Sequence, residues 1–115
     1  MLREIYDIIW IVPNLNEKIG VVARNLHLLQ IFSEKRGLSY KIILADGGSS
    51  HRNLIALQGL IGDDQERELM LVLPAWRPTK NKAIFDILNK YRSKIVAIID
   101  SDCANLSILV LQKLI

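Results

Sequence analysis

Hydrophobic positions along this chain follow two rhythms in alternation. Ile8-Ile9-Trp10-Ile11-Val12 is a nearly continuous apolar run closed by Pro13, which predicts a first strand buried on both faces. Over residues 17–36 the apolar positions Ile19, Val22, Ala23, Leu26, Leu29 and Ile31 return at roughly helical spacing, and Gly37 supplies a stop. Asn16 is the expected cap of that helix, with Glu17 in its first turn facing the positive end of the dipole. Tyr40 to Ala45 reads as a second strand, 52–60 as a helix and Glu68 to Leu73 as a third strand ended by Pro74. A helix is expected over 80–91, with Ala83, Ile84, Ile87 and Leu88 on one face. A fourth strand follows over 95–99 and another helix over 106–114.

This alternation predicts an α/β fold with a doubly wound, mainly parallel sheet, because consecutive parallel strands need a helical crossover between them. Strands one, two and four are apolar throughout, which predicts burial on both faces of the sheet. Such a fold hosts many activities, so the chemistry has to be sought in the loops after the strands.

Composition narrows the classes. The 115 residues make one domain, and 50% hydrophobic with 23% charged residues describes an ordinary globular core. A lone cysteine, Cys103, excludes an intramolecular disulfide and fits a reducing, cytoplasmic setting. The net charge of +3 suits an anionic small ligand but falls short of a nucleic-acid-binding surface. No apolar run approaches the roughly 20 residues of a membrane span, and the N-terminus lacks a signal-peptide pattern.

Four strand-end segments carry candidate chemistry. Asp100-Ser101-Asp102 follows the fourth strand. Two carboxylates one residue apart repel unless a cation joins them, so Asp100 and Asp102 are candidate ligands of a divalent metal. Taken alone, the pair also reads as a helix cap. Asp46-Gly47-Gly48-Ser49-Ser50 follows the second strand; its glycines let backbone approach a ligand, its serines can cap the next helix, and Asp46 can accept hydrogen bonds from a base or ribose. It matches neither the phosphate loop of nucleoside triphosphatases nor the Gly-x-Gly-x-x-Gly fingerprint. Pro13-Asn14-Leu15-Asn16-Glu17 is either a simple capped connection or a ligand-facing loop. Arg77, Lys80 and Lys82 cluster about a helix start, where cations are unfavourable without an anion, and a diphosphate would satisfy them. His27, His51, Cys103, Trp10 and Trp76 read as ordinary helix or packing residues.

In order, Ile-Val-Pro-x-x-Asn-Glu, Asp-x-Gly-Ser-Ser, Lys-x-x-Ala and Asp-Ser-Asp resemble the N-terminal half of family 2 glycosyltransferases of the GT-A fold, across nearly the whole chain. Residues 100–105 further resemble the glucosyl- and mannosyl-3-phosphoglycerate synthase branch. The resemblance implies a UDP- or GDP-linked sugar donor bound through Mg2+ or Mn2+. It implies that Asp46 meets the base, Asp100 the ribose and sugar, and Asp102 the metal. Pro13, Asn16, Glu17, Gly48, Ser49, Lys80 and Lys82 complete the implied donor site, and Asp46, Asp100 and Asp102 are expected on one sheet edge. Two positions depart from the family pattern: Gly47 stands where a second acid is usual, and His51 replaces the acid after the serines.

Residues 1–115 thus resemble the donor-binding part of such a domain, apparently truncated before the acceptor half. A partner chain would then supply that half, or the apolar stretch 108–115 would drive self-association. Two other classes remain open: a fragment of a haloacid-dehalogenase-like phosphatase, in which Asp100 would be the nucleophile and Asp102 the acid/base, and a non-catalytic nucleotide-binding or interaction module.

Overall fold

The structure is a computed structural model and describes residues 5–14, 16–71, 87 and 89–99. In chain order its elements are β1 (Ile5–Asn14), α1 (Ile19–Lys35), β2 (Tyr40–Asp46), α2 (His51–Ile61), β3 (Arg67–Leu71) and β4 (Arg92–Ile98). The four strands form one parallel sheet in the order β3-β2-β1-β4. The chain winds outward from β1 through β2 to β3, then returns to the other side of β1 with β4. The strand order therefore reverses at β1.

Period-two alternation along β1 and β2 divides the core into two layers. Ile8, Trp10 and Val12 share one face with Ile42 and Leu44, under Val22, Leu26, Leu29 and Phe32 of α1 and Leu57 of α2. Ile9, Ile11, Ile43 and Ala45 line the other face, where Ile87 packs. Helical residues on both faces make the sheet doubly wound. Fully burying one such side chain contributes about 1.5–3 kcal/mol, and β1 and β2 together carry most of the fully buried ones. Trp10 is a packing residue, as expected. Its ring meets Phe32 edge to face at 6.0 Å, and its indole N–H donates to Ser33 Oγ at 2.8 Å, which in turn donates to the Leu29 carbonyl. That relay leaves no polar atom of the buried indole unpaired.

The observed strand ends differ from the pattern-based ones for identifiable reasons. β1 begins three residues before Ile8, because backbone pairing with Arg92 and Ser93 of β4 extends it through the exposed or half-buried Ile5, Tyr6 and Asp7. Nor does it stop at Pro13. Proline removes one donor, but the ladder toward β2 continues through the bond from Gly47 N–H to the Asn14 carbonyl at 3.0 Å. β4 likewise starts at Arg92 and not at Ile95. It is the outer strand among the described residues, and Ile95 and Ile98 are 44% and 40% exposed. Two-face burial therefore holds for β1 and β2 but not for β4.

α1 ends as its sequence implies, with Gly37 at φ 66° just past the C-cap residue Arg36, where the left-handed conformation releases the chain. The start of α1 departs from expectation. Its cap position is Lys18, which makes no side-chain capping bond, and no acid occupies its first turn. Of the helix expected over 80–91, Ile87, Asn89 and Lys90 are described and helical. The helix expected over 106–114 lies outside the described residues.

Candidate functional site

Parallel pairing brings the C-terminal ends of β1, β2 and β4 to one sheet edge, with β1 between the others. Asn14 stands in register with Asp46. On the β4 side, the Ile99 N–H donates to the Ile11 carbonyl at 3.0 Å, so the chain leaves β4 beside the β1 tip. In open parallel sheets the point where strand order reverses leaves a crevice at the carboxyl ends of the strands, and ligands bind there.

The loops after β1 and β2 form one hydrogen-bonded unit. Asp46 is fully buried. Its carboxylate accepts from Asn14 Nδ2 at 3.0 Å, from the Ser49 hydroxyl, and from the backbone amides of Gly48 and Ser49 at 3.1 and 2.8 Å. Those four donors fill its usual acceptor positions. Burial pushes the Asp46 carboxyl up, but the bonds from the Ser49 hydroxyl and amide, Asn14 and Gly48 outweigh it and hold the group below the ordinary aspartate range. Gly48 adopts φ 111°, outside the range of ordinary side chains, which lets its amide turn back onto the carboxylate.

Asn16 fastens the first loop to the second and does not cap α1. Its backbone N–H donates to Ser49 Oγ at 2.9 Å, and its Oδ1 accepts from the Ser50 amide at 2.8 Å. The residue sits at φ 51°, a left-handed conformation that asparagine tolerates better than most. Turning that way is what frees the side chain for the second loop and leaves the helix start to Lys18. Ser50 does cap its helix, accepting from the Asn53 amide at 3.3 Å. Asn53, in the first turn of α2, donates through Nδ2 to the Glu17 carbonyl at 3.1 Å.

Of the residues singled out in the sequence, Pro13, Asn16, Glu17, Asp46, Gly48 and Ser49 therefore meet at one edge. Lys80, Lys82, Asp100 and Asp102 lie outside the described residues. No group of three His, Cys, Asp or Glu side chains able to hold a metal occurs among the described residues, and Asp46 has its coordination positions occupied by donors. Beside the loop pair runs a groove of about 580 Å³ lined by Asn16, Ile19, Ser50, Arg52, Asn53 and Ala56.

Two contributors escaped the sequence reading. Asn14 resembled any polar loop residue after a proline, and Asn53 any interior residue of a helix. Alternation does carry the first signal: Asn14 falls on the same side of β1 as Ile8, Trp10 and Val12. A polar residue continuing a buried face asks for partners.

No family model and no curated protein matches the sequence. Among solved structures, the chain is similar to the mannosyltransferase PcManGT from Pyrobaculum calidifontis, determined in complex with GDP-Man and Mn2+, at 23% identity and a TM-score of 0.64. The match covers 88% of this chain and 28% of that one. No helix among the described residues is long and apolar enough to cross a membrane. The four-stranded parallel sheet with its flanking helices is thus a fold that this chain shares with part of that mannosyltransferase.

Proposed function

We propose that this chain is the nucleotide-sugar-binding part of a GT-A-type glycosyltransferase, with a nucleoside-diphosphate sugar as donor. The observation that carries this reading is the shared sheet edge. The loops after β1 and β2 are locked together there, and β4, parallel to β1, ends at the same edge, with the Ile99 N–H bonded to the Ile11 carbonyl. The fold shared with a mannosyltransferase that binds GDP-Man and Mn2+ supports it.

On this reading Pro13, Asn16, Glu17, Gly48 and Ser49 shape the nucleoside end of the site. Asp46 holds that shape, and meets a base only by exchanging one of its four internal bonds. Lys80 and Lys82 neutralise the diphosphate. Asp100 and Asp102 would hold Mg2+ or Mn2+, which supplies charge for the departing diphosphate.

Calorimetric titration tests the reading. GDP or UDP should bind more tightly with Mn2+ present than with a chelator, and Asp102→Asn should remove most of that difference. Metal-dependent binding unchanged in Asp102→Asn would reject the assignment. Substituting Lys80 or Lys82 by alanine should weaken the diphosphate more than the nucleoside, by about 1.5–3 kcal/mol for a lost charge-assisted contact.

A further inference from the structure

The buried asparagine at the tip of β1 has one side-chain atom with no role in the loop pair. Asn14 is 4% exposed, and its Nδ2 points to Asp46 at 3.0 Å, with Ser49 Oγ at 3.3 Å and Asn53 Oδ1 at 3.4 Å also within reach. Its Oδ1 is buried and accepts no hydrogen bond from the described residues. The amide cannot be reversed to cure this. Turning it over would set Oδ1 against the Asp46 carboxylate, acceptor against acceptor, and leave the donor unpaired instead. Asp46 therefore fixes which way the Asn14 carbonyl faces. A buried acceptor left open is destabilising, and at the carboxyl end of the strand where the sheet order reverses, the group that satisfies it is a ligand's.

We propose that Asn14 is a specificity-determining residue, its Oδ1 accepting an N–H or O–H of the nucleoside moiety of the ligand. This rests on the nucleotide-binding reading above. Charge decides which part of the ligand comes here: a carbonyl oxygen beside an ionised Asp46 repels a diphosphate, which carries no donor, and attracts a neutral group that does. Two sources supply such a group. Guanine and uracil carry a ring N–H on the pairing edge, where adenine and cytosine carry a bare ring nitrogen. The ribose carries hydroxyls.

The test is a set of binding cycles. GDP, UDP, ADP and CDP, with the 2′-deoxy and 3′-deoxy forms of the tightest binder, are titrated against the wild-type chain, Asn14→Ala and Asn14→Ser. The serine hydroxyl keeps a donor for Asp46, so the loop pair retains a partner if the alanine variant fails to fold. In the wild type, removing the recognised donor should weaken binding about tenfold to a hundredfold. In either variant that penalty should shrink to about twofold or less, because the amide carbonyl is gone and the serine oxygen, on a shorter side chain, falls short of its place. A penalty confined to ADP and CDP assigns the base as the source; one confined to a deoxy form assigns the ribose. Wild-type binding that is equal across the series, or selectivity that survives in both variants, overturns the proposal while leaving nucleotide binding intact. A wild-type chain that binds no nucleoside diphosphate overturns both.

Discussion

The two ends of β2 use polar groups in opposite ways. At its C-terminal end Asp46 is fully buried and bonded to neutral donors from two loops. At its N-terminal end Lys41 lies beside Glu68, with Lys90 and Tyr91 close by. Glu68 accepts from the Tyr91 hydroxyl and from Lys90 Nζ at 3.2 Å, and both lysines sit over the Tyr91 ring at 5.1 and 5.3 Å. The second cluster is partly solvated; Lys90 is 54% exposed. Burial makes the first arrangement costly to leave incomplete, whereas water can replace any lost partner in the second. The end that holds its geometry is the end where a ligand would bind.

Substitutions should separate the two ends by size of effect. Asp46→Ala strips four donors of their acceptor, three of them also buried, and should cost about 3 kcal/mol in urea unfolding. A loss below about 1 kcal/mol would mean that the loop pair is not a unit. Asn16→Ala should cost about 2 kcal/mol, from the lost bond to Ser50 and the left-handed backbone together. Asn16→Gly relieves the backbone and loses only the bond, so it should recover about half of that. Equal losses would show that φ contributes nothing. Glu68→Gln should cost less than about 1 kcal/mol, and the difference from wild type should shrink further in about 1 M salt.

Acid and alkali offer a second contrast. The Asp46 carboxyl is held below its ordinary range, so its contribution is complete above about pH 4 and is lost as pH falls through its lowered value. Burial and the bond to Glu68 raise the Tyr91 hydroxyl above its ordinary range. Its contribution is complete below about pH 10 and is lost as pH rises through the raised value. Amide exchange at Gly48 and Ser49 should therefore accelerate in acid before the C-terminal end of the helix at Tyr91 loosens, and the order should reverse in alkali. Simultaneous opening of both ends would deny the separation.

The sequence showed most clearly the parts that obey a period. Continuous apolar runs marked β1 and β2, and helical spacing marked α1, since burial on both sheet faces leaves no other composition possible. The strand starts were illegible because backbone pairing, and not a continued apolar run, adds Ile5 to Asp7 to β1 and Arg92 to Lys94 to β4. Asp46, Gly48 and Ser49 stood out because glycines and a carboxylate after a strand form a local signal. Asn14 and Asn53 did not, since their partners are 32 to 39 residues away and no local pattern encodes such a meeting. Asn16 was visible as a residue but misjudged in role: a capping asparagine and one that turns back to a neighbouring loop look alike in sequence.

The central place of β1 also bears on how the chain reaches this shape. β1 can pair with β2 as soon as α1 has been made, but its other edge has to wait for residues 92–98. Until then a long apolar strand offers an unpaired row of amides and carbonyls, the kind of edge that recruits other chains. Closing it requires the pairing of greatest sequence separation among the described strands, so β4 docking is expected to be the slowest pairing to form. Ribosome-bound or truncated chains ending before Arg92 should be the aggregation-prone species.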